Sequence, residues 1–306
     1  MQSSNPVFRR SEGFNGRGGG GAQRYAGNGI SYPAYGAPTT PPPGYGNQPG
    51  YGDPSAWGAG APTGPAGYAP VDQGRMTIDS VVQKTGITML VVVAVAAVTW
   101  VMTPEVDSSA AAGTLYLLSM VGAFVGFGLA MVNSFKKVVS PALVLAYAAF
   151  EGLFVGAFSK IIEATFGDGN GMPGLVIGAV IGTVGAVAGT LAAYKFFDIQ
   201  VGTKFRKWVV AAMFGFVAVS LLDFVLRMFG TGFGFNGFGT MGLVSSFIGL
   251  GLGVLMLILD FDFVERGIAA GLPERESWRA AFGLAVTIIW IYIELLRILA
   301  ILRGQD

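Results

Sequence analysis

Seven long apolar segments fill the last three quarters of the sequence and restrict what this chain can fold into. They fall at about 87–103, 112–135, 141–163, 174–196, 208–230, 240–264 and 279–302. Each is close to the roughly 20 residues with which an α-helix crosses the hydrocarbon core of a bilayer. Only 12% of the residues are charged, about half the usual fraction for a soluble domain. We therefore predict an all-α integral membrane protein with seven transmembrane helices.

Missing residue types narrow the chemistry that the chain can perform. The sequence has no cysteine and no histidine, which excludes disulfides and thiolate metal sites and removes the usual pH-sensitive side chain. We find no HExxH or GxSxG motif and therefore expect no enzyme. The last segment also contains no lysine that could form a Schiff base with retinal, which argues against a retinal-binding receptor. A net charge of +1 argues against a nucleic-acid partner, and we expect no permanently bound cofactor.

The first 74 residues form a separate region that is rich in glycine, proline and tyrosine. Stretches such as PAYGAPTTPPPGYG show no apolar periodicity, so the region cannot bury enough surface to offset the entropy of ordering. We predict a disordered tail, which is either a solvated arm or a docking arm that uses its tyrosines and prolines. A short amphipathic stretch, MTIDSVVQKTG, follows it, and Thr77 is a candidate helix cap.

Charges in the connections predict the orientation of the helices. Basic residues lie in the N-terminal region and after segments 2, 4 and 6, whereas the other connections have none. The basic residues that follow segments 2, 4 and 6 are Lys136, Lys137, Lys204, Arg206, Lys207, Arg266 and Arg275. By the positive-inside rule, we predict a multi-pass protein of the bacterial inner (plasma) membrane. Its N-terminus would be cytoplasmic and its C-terminus outside.

Glycines recur at four-residue spacing in three segments and indicate close helix packing. The pairs are Gly122/Gly126, Gly178/Gly182, Gly185/Gly189 and Gly249/Gly253. Small residues at this spacing let two transmembrane helices approach closely. No strand precedes the glycines, so they do not match a dinucleotide-binding fingerprint.

Five carboxylates within the apolar segments are the candidate site, because ionisable groups at membrane depth usually face a protein interior or a water-filled cavity. They are Glu151, Asp223, Asp260, Asp262 and Glu294. Together they suggest a broken ladder of acids that could pass protons or cations. Hard cations such as Ca²⁺ prefer oxygen ligands, so Asp260 and Glu294 are also candidate Ca²⁺ contacts.

Each acid also has a structural interpretation. Glu151 lies near the middle of its segment with no base within one turn, and a hydrogen bond to a neighbouring helix would explain it. Asp223 precedes Arg227 by four residues, and Glu294 precedes Arg297 by three. Both spacings place the pair on one helix face, so local ion pairs are an equal alternative.

Asp260 and Asp262, in LILDFDFVERG, point in different directions. Two residues apart on a helix differ by about 200°, so the two side chains should face nearly opposite ways. We expect the deeper Asp260 to be the buried one and Asp262 to reach the cytoplasmic interface.

Several of these motifs together resemble the Bax-inhibitor-motif (TMBIM, YccA-like) membrane proteins. They are the acids of ILDFDF and WIYIELLRIL and the segment EGLFVGAFS, while SSNPVFRR and RMTIDSVVQKTGITM look like an actinobacterial branch. The resemblance covers about residues 75–303. It implies six helices around a central C-terminal helix.

The resemblance also implies a function, a pH-sensitive Ca²⁺ leak gated by acids on helices 6 and 7. The matching residues here are Asp260 and Glu294, where the second acid is Glu rather than Asp. A basic partner on helix 2 would have to be Lys136, Lys137 or Asn133. Bacterial relatives also regulate a membrane protease, so the alternative is a non-transporting regulator that binds a protease or another partner.

Overall fold

A computed structural model gives the conformation of residues 74–167 and 174–304. The predicted disordered tail, apart from Gly74, lies outside these residues. Seven helices follow one another: α1 (Ile78–Met102), α2 (Ser109–Phe135), α3 (Pro141–Phe166), α4 (Gly174–Phe196), α5 (Thr203–Met228), α6 (Thr240–Ala269) and α7 (Glu276–Arg303). All seven are long and apolar enough to cross a membrane, which confirms the predicted class.

Three helices, α1, α5 and α6, extend by five residues or more beyond the apolar segments that predict them. The amphipathic stretch belongs to α1, which starts at Ile78 with a capping box: the Thr77 side chain accepts from the Ser80 amide, and the Ser80 hydroxyl accepts from the Thr77 amide. α5 begins at Thr203 and α6 ends at Ala269. The additional turns of these helices carry charged residues, so a search for apolar segments does not include them. An α-helix can continue through such residues beyond the lipid.

The C-terminal helix α7 lies at the centre of the bundle. It packs against α1, α3, α4 and α6, while α2 packs against α3 and α5 against α6. Ile291, Leu296 and Ala300 of α7 are fully buried. The central position of α7 is therefore confirmed, but its backbone packs against four helices rather than the expected six.

Close packing occurs at some of the predicted glycines but not at all of them. A Cβ atom at Gly122 would lie 2.6 Å from the Phe154 backbone nitrogen. Gly185 and Gly189 have nothing within 4 Å of such an atom, so the prediction is wrong for that pair. Spacing alone does not reveal which face of α4 meets a neighbour.

An equally close contact between two helices was not predicted. In α3, a Cβ atom at Gly152 would lie 2.6 Å from the Val92 carbonyl oxygen, and one at Gly156 would lie 2.6 Å from the Ala96 carbonyl oxygen. These two glycines let the backbones of α1 and α3 meet. Their four-residue spacing is the same as that of the glycine pairs for which close packing was predicted.

Candidate functional site

The five intramembrane acids fall into two groups. Asp223, Asp262 and Glu294 each form an ion pair with arginine. Among the described residues, neither Glu151 nor Asp260 has a lysine or arginine nitrogen within 4.0 Å. The first group is electrostatically satisfied, whereas the second lies against neutral surroundings.

Asp223 is fully buried and holds the connection between α5 and α6. Its Oδ1 accepts hydrogen bonds from the amides of Phe233 (2.8 Å) and Gly234 (3.0 Å). Its Oδ2 accepts from the Asn236 amide (2.8 Å) and from Arg227 Nε (2.9 Å). The ion-pair interpretation is confirmed, and the three amide contacts give this acid a structural role.

Glu294 and Arg297 form a buried ion pair on α7. Arg297 Nη1 lies 3.0 Å from Glu294 Oε2, and the two residues are only 8% and 4% exposed. Arg297 Nη2 also donates to the carbonyl oxygens of Phe235 (3.1 Å) and Gly237 (3.4 Å). Arg297 therefore joins the Glu294 carboxylate to the same α5–α6 connection that Asp223 holds.

Asp262, rather than Asp260, is the more enclosed acid of α6. It is 5% exposed, with Arg206 of α5 at 2.6 Å and Arg266 at 2.8 Å. The expectation that Asp260 is the buried one of the two is therefore wrong. The reason is that Arg206 reaches Asp262 from α5 and Arg266 reaches it from the next turn of α6, so two side chains cover this carboxylate.

Asp260 faces the central helix. Its Oδ2 accepts a hydrogen bond from Thr287 Oγ1 at 2.6 Å, and its Oδ1 lies 3.5 Å from where a Cβ atom of Gly283 would stand. Asp260 thus points to α7 and Asp262 to α5, as the 200° difference between them predicts. Asp260 has a neutral partner, whereas Asp262 has two charged ones.

Glu294 faces the same interface from the opposite helix. A Cβ atom at Gly249 of α6 would lie 2.7 Å from Glu294 Oε1. Thr287, which binds Asp260, and Glu294 are two turns apart on one face of α7. The carboxylates of Asp260 and Glu294 are therefore separated by about 10 Å along the helix. We call this α6–α7 interface, with Asp260, Thr287 and Glu294, the carboxylate seam.

Tightly packed side chains separate the two carboxylates of the carboxylate seam. Leu257 and Ile291 are fully buried between them, in one hydrophobic cluster. The two acids are therefore not brought into one ion site, because oxygen ligands of Ca²⁺ lie at about 2.3–2.6 Å from the ion. Within the described residues, no three acidic side chains are grouped so as to hold a metal.

The other candidates lie away from the carboxylate seam. Glu151 faces α2, where its Oε1 lies 3.2 Å from the Cβ position of Gly126. Asn133 donates to the Leu143 carbonyl oxygen at 3.2 Å, and the side chains of Lys136 and Lys137 are exposed. No contact of the described residues joins these three helix-2 candidates to Asp260 or Glu294.

Lys160 is a buried lysine for which the sequence predicts no role. Its Nζ donates to the carbonyl oxygens of Trp100 and Thr103, both at 2.9 Å, and lies 3.4 Å from Glu105 Oε1. It therefore caps the C-terminal end of α1 from α3. A lone lysine in an apolar segment is the signal that would have drawn attention to it.

Comparison with known proteins gives two matches. A family model described as Bax inhibitor 1 like matches residues 5–304. An uncharacterized protein of Chlamydia muridarum is 26% identical over 197 residues, which cover 61% of this chain and 78% of that protein. The family match extends over all seven helices.

Proposed function

The chain belongs to the Bax inhibitor 1 like family, and from that premise we propose that it is a pH-sensitive cation leak channel. Ca²⁺ is the proposed permeant ion, and protons act on the carboxylate seam. The observation that supports this most is the position of Asp260, an acid that faces the central helix. Its one hydrogen-bond partner among the described residues is the neutral Thr287.

Asp260 lies several turns inside α6, where an ionised side chain is costly. It stands about 14 Å from the end of α6 at Ala269, by the rise per residue. A charged side chain at membrane depth is costly, and one hydroxyl donor offsets only part of that cost. Binding a proton or a cation relieves the imbalance, so the packing of α6 against α7 depends on what occupies Asp260.

The packed layer between the acids supports a closed conformation. Leu257 and Ile291 fill the carboxylate seam between Asp260 and Glu294. An apolar constriction of this kind blocks ions because it excludes water. Opening requires α6 and α7 to separate at this layer, and the ionisation states of the acids on either side of it set the balance.

Replacing both acids of the carboxylate seam should remove the pH dependence of Ca²⁺ flux in liposomes. Asn and Gln mimic protonated acids, so Asp260→Asn/Glu294→Gln should show, at neutral pH, the flux of the wild-type protein at acidic pH. We expect a several-fold change and a flat pH profile. Asp107→Asn, an exposed acid in the α1–α2 connection, is the matched control and should behave as wild type.

Two outcomes of that experiment contradict the proposal. One is a wild-type pH profile in the double variant. The other is the absence of flux from the wild-type protein at every pH, which would favour a non-transporting regulator. That alternative predicts a membrane protease or another partner that co-purifies with the full chain.

We also propose that the N-terminus is cytoplasmic and the C-terminus outside. Because the chain has no cysteine, single cysteines report the orientation cleanly. In intact cells, a membrane-impermeant thiol reagent should label Asp107→Cys, and it should label Lys137→Cys only after permeabilisation. Both positions are exposed. The reverse labelling pattern would invert the assignment.

A further inference from the structure

A large cleft opens at the end of the bundle that the connection charges predict to be cytoplasmic. Its volume is about 1010 Å³, and we call it the inner cleft. Its walls come from the first turns of α1, the last turns of α4, the connection 198–202 and the C-terminal part of α6. The backbones of α1 and α4 do not pack against each other within the described residues, so the cleft opens sideways between them.

The sideways opening is apolar. Ile78 and Val82 of α1 line it and are 63% and 64% exposed, and Leu191 of α4 lines it from the other side. A second cavity of about 450 Å³ continues the gap between α1 and α4, and Val93 and Val184 are among its lining residues. Both cavities therefore lie between α1 and α4, and the residues of α1 and α4 that line them are mostly apolar.

The polar end of the inner cleft has hydrogen-bonded or ion-paired acids beside an exposed lysine. The Tyr194 hydroxyl donates to Glu265 at 2.7 Å, and Asp262 is paired with Arg266 at 2.8 Å. Lys195 lines the cleft and is exposed. In the described part of the chain, no contact occupies its ammonium group.

The surroundings of Lys195 are also basic. Lys204 and Lys207, in the first turns of α5 just after the cleft-lining Gly202, are exposed and make no ion pair with a described residue. Asp198 is the one further acid that lines the cleft. Among the described residues, the region thus has three lysines outside ion pairs, Lys195, Lys204 and Lys207, against two carboxylates outside ion pairs, Asp198 and Glu265. This excess of positive charge favours an anionic group held at the membrane surface.

We propose that the inner cleft binds an anionic phospholipid. The phosphate lies against Lys195, with Lys204 and Lys207 adding to the local positive potential, and an acyl chain follows the apolar gap between α1 and α4. Basic pockets between transmembrane helices on the cytoplasmic side are suited to anionic headgroups. The apolar sideways opening favours a lipid over a free phosphate, and the proposal does not depend on ion conduction.

The test counts lipids retained by the purified full chain in native mass spectrometry. Phosphatidylglycerol and phosphatidylcholine with the same acyl chains are compared. Wild type should retain more phosphatidylglycerol, and Lys195→Gln should lower that retention several-fold towards the phosphatidylcholine level. Lys136→Gln is the matched control, because this exposed lysine lies in the α2–α3 connection, outside the cleft.

Two further measurements separate the headgroup from the tail. Val82→Gln changes only an exposed wall residue and should also lower phosphatidylglycerol retention, because the acyl chain loses its apolar contact. Soluble glycerol 3-phosphate should not displace the lipid. The proposal is overturned if Lys195→Gln and Lys136→Gln retain equal amounts, if Val82→Gln has no effect, or if glycerol 3-phosphate displaces phosphatidylglycerol.

Discussion

Asp223→Asn should lower the free energy of unfolding by about 2–6 kcal/mol, because two of the donors that meet its buried carboxylate lose their acceptor at about 1–3 kcal/mol each. The fully buried Asp223 carboxylate accepts from three backbone amides and from Arg227. In the variant, the amide NH₂ group takes the place of one acceptor. If it replaces Oδ2, it faces the Asn236 amide and Arg227 Nε, which are both donors, and each buried donor left unpaired costs about 1–3 kcal/mol.

Thermal unfolding of the purified protein in detergent measures this effect. Asp107→Asn makes the same chemical change at an exposed residue and should leave the midpoint within error of wild type. A wild-type midpoint for Asp223→Asn would mean that the α5–α6 connection does not depend on this carboxylate. The variant should also shift the midpoint in the same direction in liposomes, because the contacts are internal to the protein.

Asp223 also shows where prediction from the sequence stops. Its spacing to Arg227 predicts the ion pair, because residues four apart share a helix face. The three amide contacts depend on how the uncharged connection TGFGFNGFG folds back onto α5. No local pattern in those glycines and phenylalanines specifies that path, since the acid that organises them lies before the connection.

The seven helices were predictable because each depends on a single continuous run of apolar residues. The burial of Asp262 could not be predicted from the sequence, because it depends on Arg206, which reaches this acid from α5. The direction of Asp260 relative to Asp262 follows from helix geometry alone, whereas its partner Thr287 comes from another helix. The sequence therefore predicts geometry within one helix, whereas contacts between helices become known only from the three-dimensional structure.

Arg297→Gln should be the second strongly destabilising change, at about 3–5 kcal/mol. It leaves Glu294, which is 4% exposed, without its counter-charge. It also removes the donor to the Phe235 and Gly237 carbonyl oxygens. The central helix would then lose its polar link to the α5–α6 connection.

Glu294→Gln should cost less than Arg297→Gln. The guanidinium keeps its two carbonyl acceptors, and the Gln side-chain oxygen can still accept from Nη1. The double variant should be more stable than the sum of the single changes predicts, with a coupling of about 0.5–3 kcal/mol for groups in contact.

A second pair on the same helix provides the control for this cycle. Arg279 and Glu276 have the same three-residue spacing, with Nε and Oε2 at 2.9 Å, but the Arg279 side chain is 34% exposed. Arg279 also donates to the Lys137 carbonyl oxygen at 2.8 Å, but its pair is the more exposed of the two and should be the weaker one. Arg279→Gln should therefore cost less than Arg297→Gln. Equal losses for Arg279→Gln and Arg297→Gln, or strict additivity in the cycle, would show that burial does not strengthen the Glu294–Arg297 pair. The carboxylate seam would then lack the charged anchor at its Glu294 end that links it to the α5–α6 connection.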